Sequence, residues 1–333
     1  MIALLRELTA AYGPSGREEE IRNVIRDKIS PWVDEIYTDT LGNLIAVKKG
    51  PENGKRIMLA AHMDEIGLVA SYVDEKGFIR ISNIGGINPY VAVGQRVTFH
   101  NGITGCVCYE ENITDFKDLK LDRMYIDIGT SDRGITLDCI KPGDMAVFSG
   151  EAIEQNGRFI SKALDDRIGC LILIKLAEMI KDCPNEVIFV FTVQEEVGLR
   201  GAGPAAFSVK PDIAVAVDVT NTGDTPECKP LAIELGKGPA VMIKDYRTIS
   251  HPKVKNALIE CAEKNKIPYQ LEVMSVGGND AGSIHTTGGG IPSGAVSIPC
   301  RYLHRPCEMV EKSDVTNAIK LLKTFVMNPE YRS

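Results

Sequence analysis

At 333 residues, with 44% hydrophobic and 25% charged side chains, the chain has the composition of an ordinary globular protein, long enough for a large core and two domains. A net charge of −7 without a Lys/Arg stripe excludes the counterion-displacing surface of a nucleic-acid binder. No apolar run reaches the roughly 18–20 residues that span a bilayer, so the expectation is a cytoplasmic protein with no membrane or nucleic-acid partner.

The opening residues mix Arg6 and Glu7 into a helical pattern and lack the apolar core and cleavage site of a secretory signal. Periodicity predicts helices over 2–11 and 18–29, the second opened by a capping box from Ser15 to Glu18. Strands are expected at 43–47 and 57–61. From about 68 to 161 the texture changes to short alternating runs, such as Phe78-Ile79-Arg80-Ile81 and Arg96-Val97-Thr98-Phe99, punctuated by Gly and Pro. That is the pattern of a small β-barrel. Helical and strand-like runs then alternate again: a helix at 168–180, strands at 187–193 and 213–217, a helix at 254–263, a strand at 295–298 and a last helix at 313–326. The economical arrangement is one α/β domain, residues 1–67 and 162–333, interrupted by a β-rich insertion at 68–161. The nine cysteines are scattered and odd in number, with Cys106 and Cys108 the one close pair, and read as reduced thiols.

Three of the predicted strands, 57–61, 187–193 and 213–217, are short, aliphatic and uncharged, so they read as strands buried on both faces. Each is followed at its C-terminal end by polar residues: His62-Met63-Asp64, Glu195-Glu196 and Asp218. Asp165-Asp166 and His304 complete a set of five short segments. In an open α/β sheet the C-terminal strand edge is where ligands bind, so residues remote in sequence converge there. Histidine nitrogen with carboxylate oxygen suits zinc, cobalt or manganese; calcium wants oxygen alone, and structural zinc usually wants cysteine. Asp165, Glu196 and Asp218, with one hydroxide, give four negative charges against two divalent ions. A single metal would leave surplus charge packed in a poorly solvated cleft, so the balance favours a dinuclear site with Asp165 bridging. Taken singly, each residue has a plainer role: His62 as a hydrogen-bonded structural histidine, Glu195-Glu196 as a solvated pair, Asp165-Asp166 as acids at a helix N-terminus, Asp218 as a turn cap and His304 as a loop histidine.

The segments Ala61-His62-Met63-Asp64-Glu65-Ile66-Gly67, Ala163-Leu164-Asp165-Asp166-Arg167, Gln194-Glu195-Glu196-Val197-Gly198, Asp218-Val219-Thr220 and 301–308, Arg-Tyr-Leu-His-Arg-Pro-Cys-Glu, resemble in order the signatures of the tetrahedral aminopeptidases. That group of dinuclear metallo-exopeptidases includes chains labelled glutamyl aminopeptidase or cellulase M, and the resemblance runs from about Leu4 to Val326. It implies a mixed-sheet catalytic domain with an inserted β-barrel that serves dimerisation, and dimers associated into a tetrahedral dodecamer acting on short peptides with a free N-terminus. It further implies two divalent ions per subunit, zinc or cobalt foremost and manganese as a third option. His62 and Asp218 would serve one ion, Glu196 and His304 the other, with Asp165 between them. Glu195 would be the catalytic acid and base, and Asp64 an acid behind His62 that orients its ring.

Two departures from the family's pattern, Asn221 and Asn279, bear on substrate preference, not on the ligands. Among the other histidines, His100 and His251 are expected at the surface and His285 is a candidate for the cleft. The run Gly288-Gly289-Gly290 lacks the Lys and flanking order of a phosphate loop and reads as a flexible loop near the cleft. Two rival activities stand beside aminopeptidase: a dimetal N-acyl-amino-acid amidohydrolase, and an endo-β-glucanase, which the aromatic content of 6% does not favour.

Overall fold

The computed structural model describes residues 1–228 and 230–328. Two helices, α1 (Ile2–Ala10) and α2 (Glu19–Ile29), lead into β1 (Glu35–Thr38), β2 (Leu44–Lys48) and β3 (Arg56–His62). Six strands then close a barrel: β4 (Gly67–Val73), β5 (Ile79–Ile84), β6 (Arg96–Phe99), β7 (Thr104–Tyr109), β8 (Met124–Asp127) and β9 (Met145–Phe148), interspersed with short helices α3 (Pro89–Ala92) and α4 (Arg133–Cys139). After β10 (Ile153–Gln155) and β11 (Arg158–Ser161) come α5 (Leu164–Met179), β12 (Glu186–Thr192), α6 (Ala202–Val209), β13 (Ile213–Asn221) and β14 (Ala240–Lys244). The chain ends with α7 (Pro252–Lys264), β15 (Gln270–Val273), α8 (Ala281–Ile284), β16 (Ser293–Arg301), β17 (Glu308–Glu311) and α9 (Lys312–Val326).

The main sheet is mixed and runs β1-β2-β12-β3-β13-β16-β17-β11-β10, with β14 and β15 branching from β16. Its centre, β12-β3-β13-β16, is parallel. These strands have apolar middles because helices cover both faces. In β3 the alternation is explicit. Ile57, Leu59 and Ala61 face the core built with α1, α2, α5, α7 and α9, while Met58 and Ala60 face Ala202, Ala205, Ala206 and Ile284 of α6 and α8. Helix α5 lies under the sheet centre, which explains why every residue from Ile168 to Ile174 is buried and its sequence shows no polar stripe. The barrel has a separate core of Leu68, Ile79, Val97, Phe99, Val107, Ile126 and Phe148. It closes at β9, and β10 and β11, the end of the stretch read from sequence as the insertion, pair onto the main sheet through β17.

Two local expectations are corrected. Ser15 and Glu18 form no capping box: Ser15 Oγ donates to Asp64 at 2.6 Å, and Glu18 accepts from the backbone of Gly16 and Gln194. Strand β13 continues past Asp218 to Asn221, so Asp218 lies within the strand. Asp165 and Asp166, joined by a cis peptide, have non-helical backbone angles, and regular helix begins after them, in keeping with the expected helix at 168–180.

Candidate metal centre

Strand register brings the first residues together. Thr192 of β12 pairs with His62 of β3, and Ala216 of β13 pairs with Ala60, which leaves Asp218 and His62 each two residues further along their parallel strands. The Asp165-Asp166 segment, the turn after β12 and the loop after β16 close on the same edge. They line a cleft of about 420 Å³ that holds His62, Asp165, Glu195, Glu196, Asp218 and His304. Asp64 lies behind it, fully buried.

Asp165 stands between the two imidazoles. Its Oδ1 is 2.8 Å from His62 Nε2, and its Oδ2 is 3.2 Å from His304 Nε2. Each ring is oriented through its other nitrogen, His62 Nδ1 toward the Asp64 carbonyl at 3.1 Å and His304 Nδ1 toward the Gly86 carbonyl at 2.7 Å. Both Nε2 atoms therefore face the acids. Asp218 Oδ1 lies 3.9 Å and Glu195 Oε2 4.0 Å from His62 Nε2, whereas Glu196 Oε1 lies 3.4 Å from His304 Nε2. The adjacent glutamates thus face different histidines.

Buried carboxylates hold this arrangement from behind. Asp64 accepts the backbone N–H of Glu195 at 3.0 Å and of Glu196 at 3.2 Å. Glu18 accepts that of Gln194 at 3.1 Å, so three successive amides of the turn, which Gln194 opens at φ +56°, end on fixed acids. Glu65 pairs with Lys162 at 2.6 Å and Arg167 at 3.1 Å. Arg167, fully buried, also donates to the Leu8 and Ala11 carbonyls and ties the N-terminal segment to the acids that precede it. The barrel takes part too: Gly85, at φ +74°, lets its loop approach to where a Cβ would stand 2.9 Å from Glu196 Oε2. The insertion contributes no member of the six-residue set, yet it orients His304.

The electrostatics of the cluster suit cations. Burial, reinforced by Asp218 and Glu196 and opposed by His62, pushes the Glu195 carboxyl well above the ordinary range; burial and Asp165 do the same for Asp218. Burial and Asp165 push Glu196 up to about 8. Asp165 goes the other way, since the hydrogen bonds of His304 and His62 outweigh its burial. Burial works against protonation of His304, but Asp165 and Glu196 hold it up to about 10. Acids this crowded favour divalent ions, and the donor atoms are placed for them. One ligand atom each from His62, Asp166 and Asp218 lie within 4.8 Å of one another, as do those of His62, Asp165 and Glu196.

Several residues of the site escaped the sequence reading. Asp166 Oδ2 is buried without a hydrogen-bond partner among the described residues, on the His62–Asp218 side. Asp280 accepts from Thr192 Oγ1 at 2.5 Å, and burial pushes its carboxyl up to about 6. Glu308 binds the backbone of both Asp165 and His304. Lone acids carry no periodic signal, although Glu308 ends the 301–308 segment and Asp280 directly follows Asn279. Of the two departures, Asn221 lines the cleft, while Asn279 is buried against Met242 and Asp245. His285 does not line the cleft: its Nδ1 donates to Ala281 O at 2.8 Å. His251 caps α7, and His100 is exposed beside the Tyr12 ring. Gly277 and Gly278, not Gly288 to Gly290, form the glycine wall of the cleft.

The model of the M42 glutamyl aminopeptidase family matches residues 42–321. A putative aminopeptidase of Acetivibrio thermocellus is 56% identical over 322 residues, covering 97% of each chain. Among solved structures, aminopeptidase APDkam598 from the archaeon Desulfurococcus kamchatkensis superposes with a TM-score of 0.95 at 38% identity, covering 100% of this chain and 96% of that one. The Pyrococcus horikoshii TET1 peptidase, described as able to assemble into a tetrahedron or a large octahedral shell, gives a TM-score of 0.88 at 32% identity, over 98% of this chain and 99% of that one. A mixed sheet with an inserted closed barrel and a His/Asp/Glu cluster at its edge is here the framework of a metal-dependent aminopeptidase, a hydrolase of peptide bonds. The chain belongs to the M42 glutamyl aminopeptidase family.

Proposed function

We propose that His62 and Asp218 hold one divalent ion and Glu196 and His304 another, with Asp165 ligating both. The observation that carries this reading is that the two oxygens of Asp165 face different histidines. Zinc or cobalt fits the nitrogen and carboxylate donors, with manganese as a third option. Asp166 lies on the same side as His62 and Asp218, its carboxyl pushed well up by burial and by Asp218.

When bound, the ions polarise the scissile carbonyl and lower the pKa of water. Glu195 is the general base and acid. It faces the cleft, takes the proton of the attacking water and delivers it to the leaving nitrogen. Asp64 positions Glu195 and Glu196 through their backbone and His62 through its own carbonyl, so one acid fixes the spacing of base and ligands. The acid-lined end of the cleft suits a free α-amine, which an N-acyl-amino-acid substrate lacks. An endo-β-glucanase is disfavoured as well, since no Phe, Tyr or Trp is among the described residues lining the cleft.

The barrel, from β4 to β9, serves as the dimerisation module, and the main sheet with its helices forms the catalytic part. Tyr72 and Phe116 are exposed on the barrel and would be covered by such a contact. Dimers then build a tetrahedral dodecamer in the cytoplasm; no helix of the described residues is long and apolar enough to cross a membrane. Metal-depleted protein given zinc, cobalt or manganese should hydrolyse aminoacyl-anilides and leave N-acetyl-amino acids intact. Light scattering of active, metal-replete protein should give a dodecamer. Cleavage confined to the N-acetyl substrates would reject the aminopeptidase reading, and an active monomer would reject the assembly.

A further inference from the structure

Arg305 is the single Lys or Arg among the described residues lining a cleft that is otherwise rich in acids. It directly follows His304, is exposed, and has no carboxylate partner among the described residues; its guanidinium carbon lies 5.9 Å from the Tyr302 ring. Arg301, four residues earlier, shows the contrast, being bound to Asp224 by two hydrogen bonds at 2.9 and 2.7 Å. The acids nearest to Arg305 in sequence and in the cleft are turned elsewhere, Glu196 and Asp165 toward His304 and Glu308 toward backbone amides.

Location adds a second observation. Arg305, with Asn88 and Val91, forms a wall common to the catalytic cleft and to an adjoining groove of about 570 Å³ that continues past Tyr90 and Pro306. The catalytic cleft is lined by Asp165, Glu195, Glu196 and Asp218, and Arg305 borders both it and the groove. A peptide bound with its α-amine at the acid-lined end must lead its remaining residues away from it. Each extended residue advances about 3.3–3.6 Å, so the carboxylate of a dipeptide or tripeptide falls only one or two residues beyond the scissile bond.

We propose that Arg305 binds a carboxylate on the leaving side of the scissile bond, which makes this enzyme selective for short peptides that carry a negative charge there. The inference rests on the aminopeptidase reading and deepens it. The planar guanidinium matches a carboxylate with two parallel hydrogen bonds. Two sources supply that group: the C-terminus of a dipeptide, or an acidic side chain directly after the N-terminal residue.

The test compares substrate pairs on one preparation, so that each ratio is independent of the fraction of active protein. Ala-Ala against Ala-Ala-amide isolates the C-terminal carboxylate, and Ala-Asp-amide against Ala-Asn-amide isolates the side chain. In the wild type, kcat/KM should favour the charged member of at least one pair by about tenfold, mainly through KM. In Arg305→Gln that ratio should fall to about two or less, and Arg305→Lys should restore part of it. A wild-type ratio near one in both pairs, or a ratio unchanged in Arg305→Gln, overturns the proposal. So does a loss confined to Glu-anilide relative to Ala-anilide, which would put the recognised charge on the N-terminal residue. Wild-type protein that cleaves Ala-anilide without preference in either pair defeats only the role of Arg305; protein that cleaves none of these substrates defeats the aminopeptidase reading itself.

Discussion

Glu308 accepts the backbone N–H of His304 at 2.8 Å. Its second oxygen accepts that of Asp165 at 3.0 Å, so one buried side chain fixes the backbone of two proposed ligands. Glu308→Gln preserves the volume but turns one of these acceptors into a donor facing an N–H. Metal affinity at the His304 side should fall by about 10- to 100-fold, the usual effect of losing a group that orients a ligand. Zinc titration followed by elemental analysis reads this directly, and unchanged affinity would remove Glu308 from the site.

The division of ligands predicts unequal losses. Asp165→Asn should lower occupancy of both ions, because its oxygens face both histidines. His304→Ala should chiefly empty one. Two full equivalents of metal in purified Asp165→Asn would contradict the bridging role.

Glu195 and Glu196 are adjacent in sequence but predicted to fail differently. Glu195→Gln removes a proton acceptor, so turnover should drop by about 10² to 10⁴-fold while both ions stay bound. Glu196→Gln should instead weaken one metal, a neutral amide being a poorer ligand than a carboxylate. Metal content and turnover measured on the same samples separate the two. Metal loss in Glu195→Gln, or a near-normal rate, would reverse the assignment.

A pH effect on stability is expected from the Asp224–Arg301 pair, whose side chains are 16% and 18% exposed. The two hydrogen bonds of Arg301 hold the Asp224 carboxyl well below its usual range. A carboxyl lowered on folding stabilises the protein above its unfolded pKa, about 3.9, and this contribution fades as pH falls below that value. Asp224→Asn should therefore cost about 1–2 kcal/mol at pH 7 and progressively less below about pH 4. Urea melts of metal-free wild type and variant at several pH values would show the two curves converging in acid; parallel curves would deny the ion pair this role.

Much of the sheet could be read directly because its central strands are buried on both faces, which forces uninterrupted aliphatic runs ending in polar residues at 62, 195 and 218. The barrel announced itself through alternation for the opposite reason, one face packed and one solvated. The peripheral strands β1, β10, β11 and β17 are short and carry charged residues, so no pattern marks them. Ser15 and Glu18 had the spacing of a helix cap, but tertiary contacts claimed both side chains, one for Asp64 and the other for Gln194. The residues that supply the cluster were legible through their segments, whereas the holding roles of Glu18, Glu65 and Glu308 were not, although Glu65 and Glu308 stand in two of the same segments. Their partners are backbone amides and cations far away along the chain, and such pairings leave no local trace.

Arg167 sets a schedule for synthesis. It grips the carbonyl of Ala11, 156 residues earlier, so at about 5–20 residues per second helix α1 waits roughly 8–30 s for its anchor. Until then the apolar face of α1, with Leu5 and Leu8, lacks the α5 surface it covers in the folded protein. His304 and Glu308 leave the ribosome later still. An unfinished chain can offer His62, Asp165 and Glu196, but it cannot close the second half of the cluster. On the proposed two-ion reading, full occupancy would thereby be reserved for chains translated beyond β17.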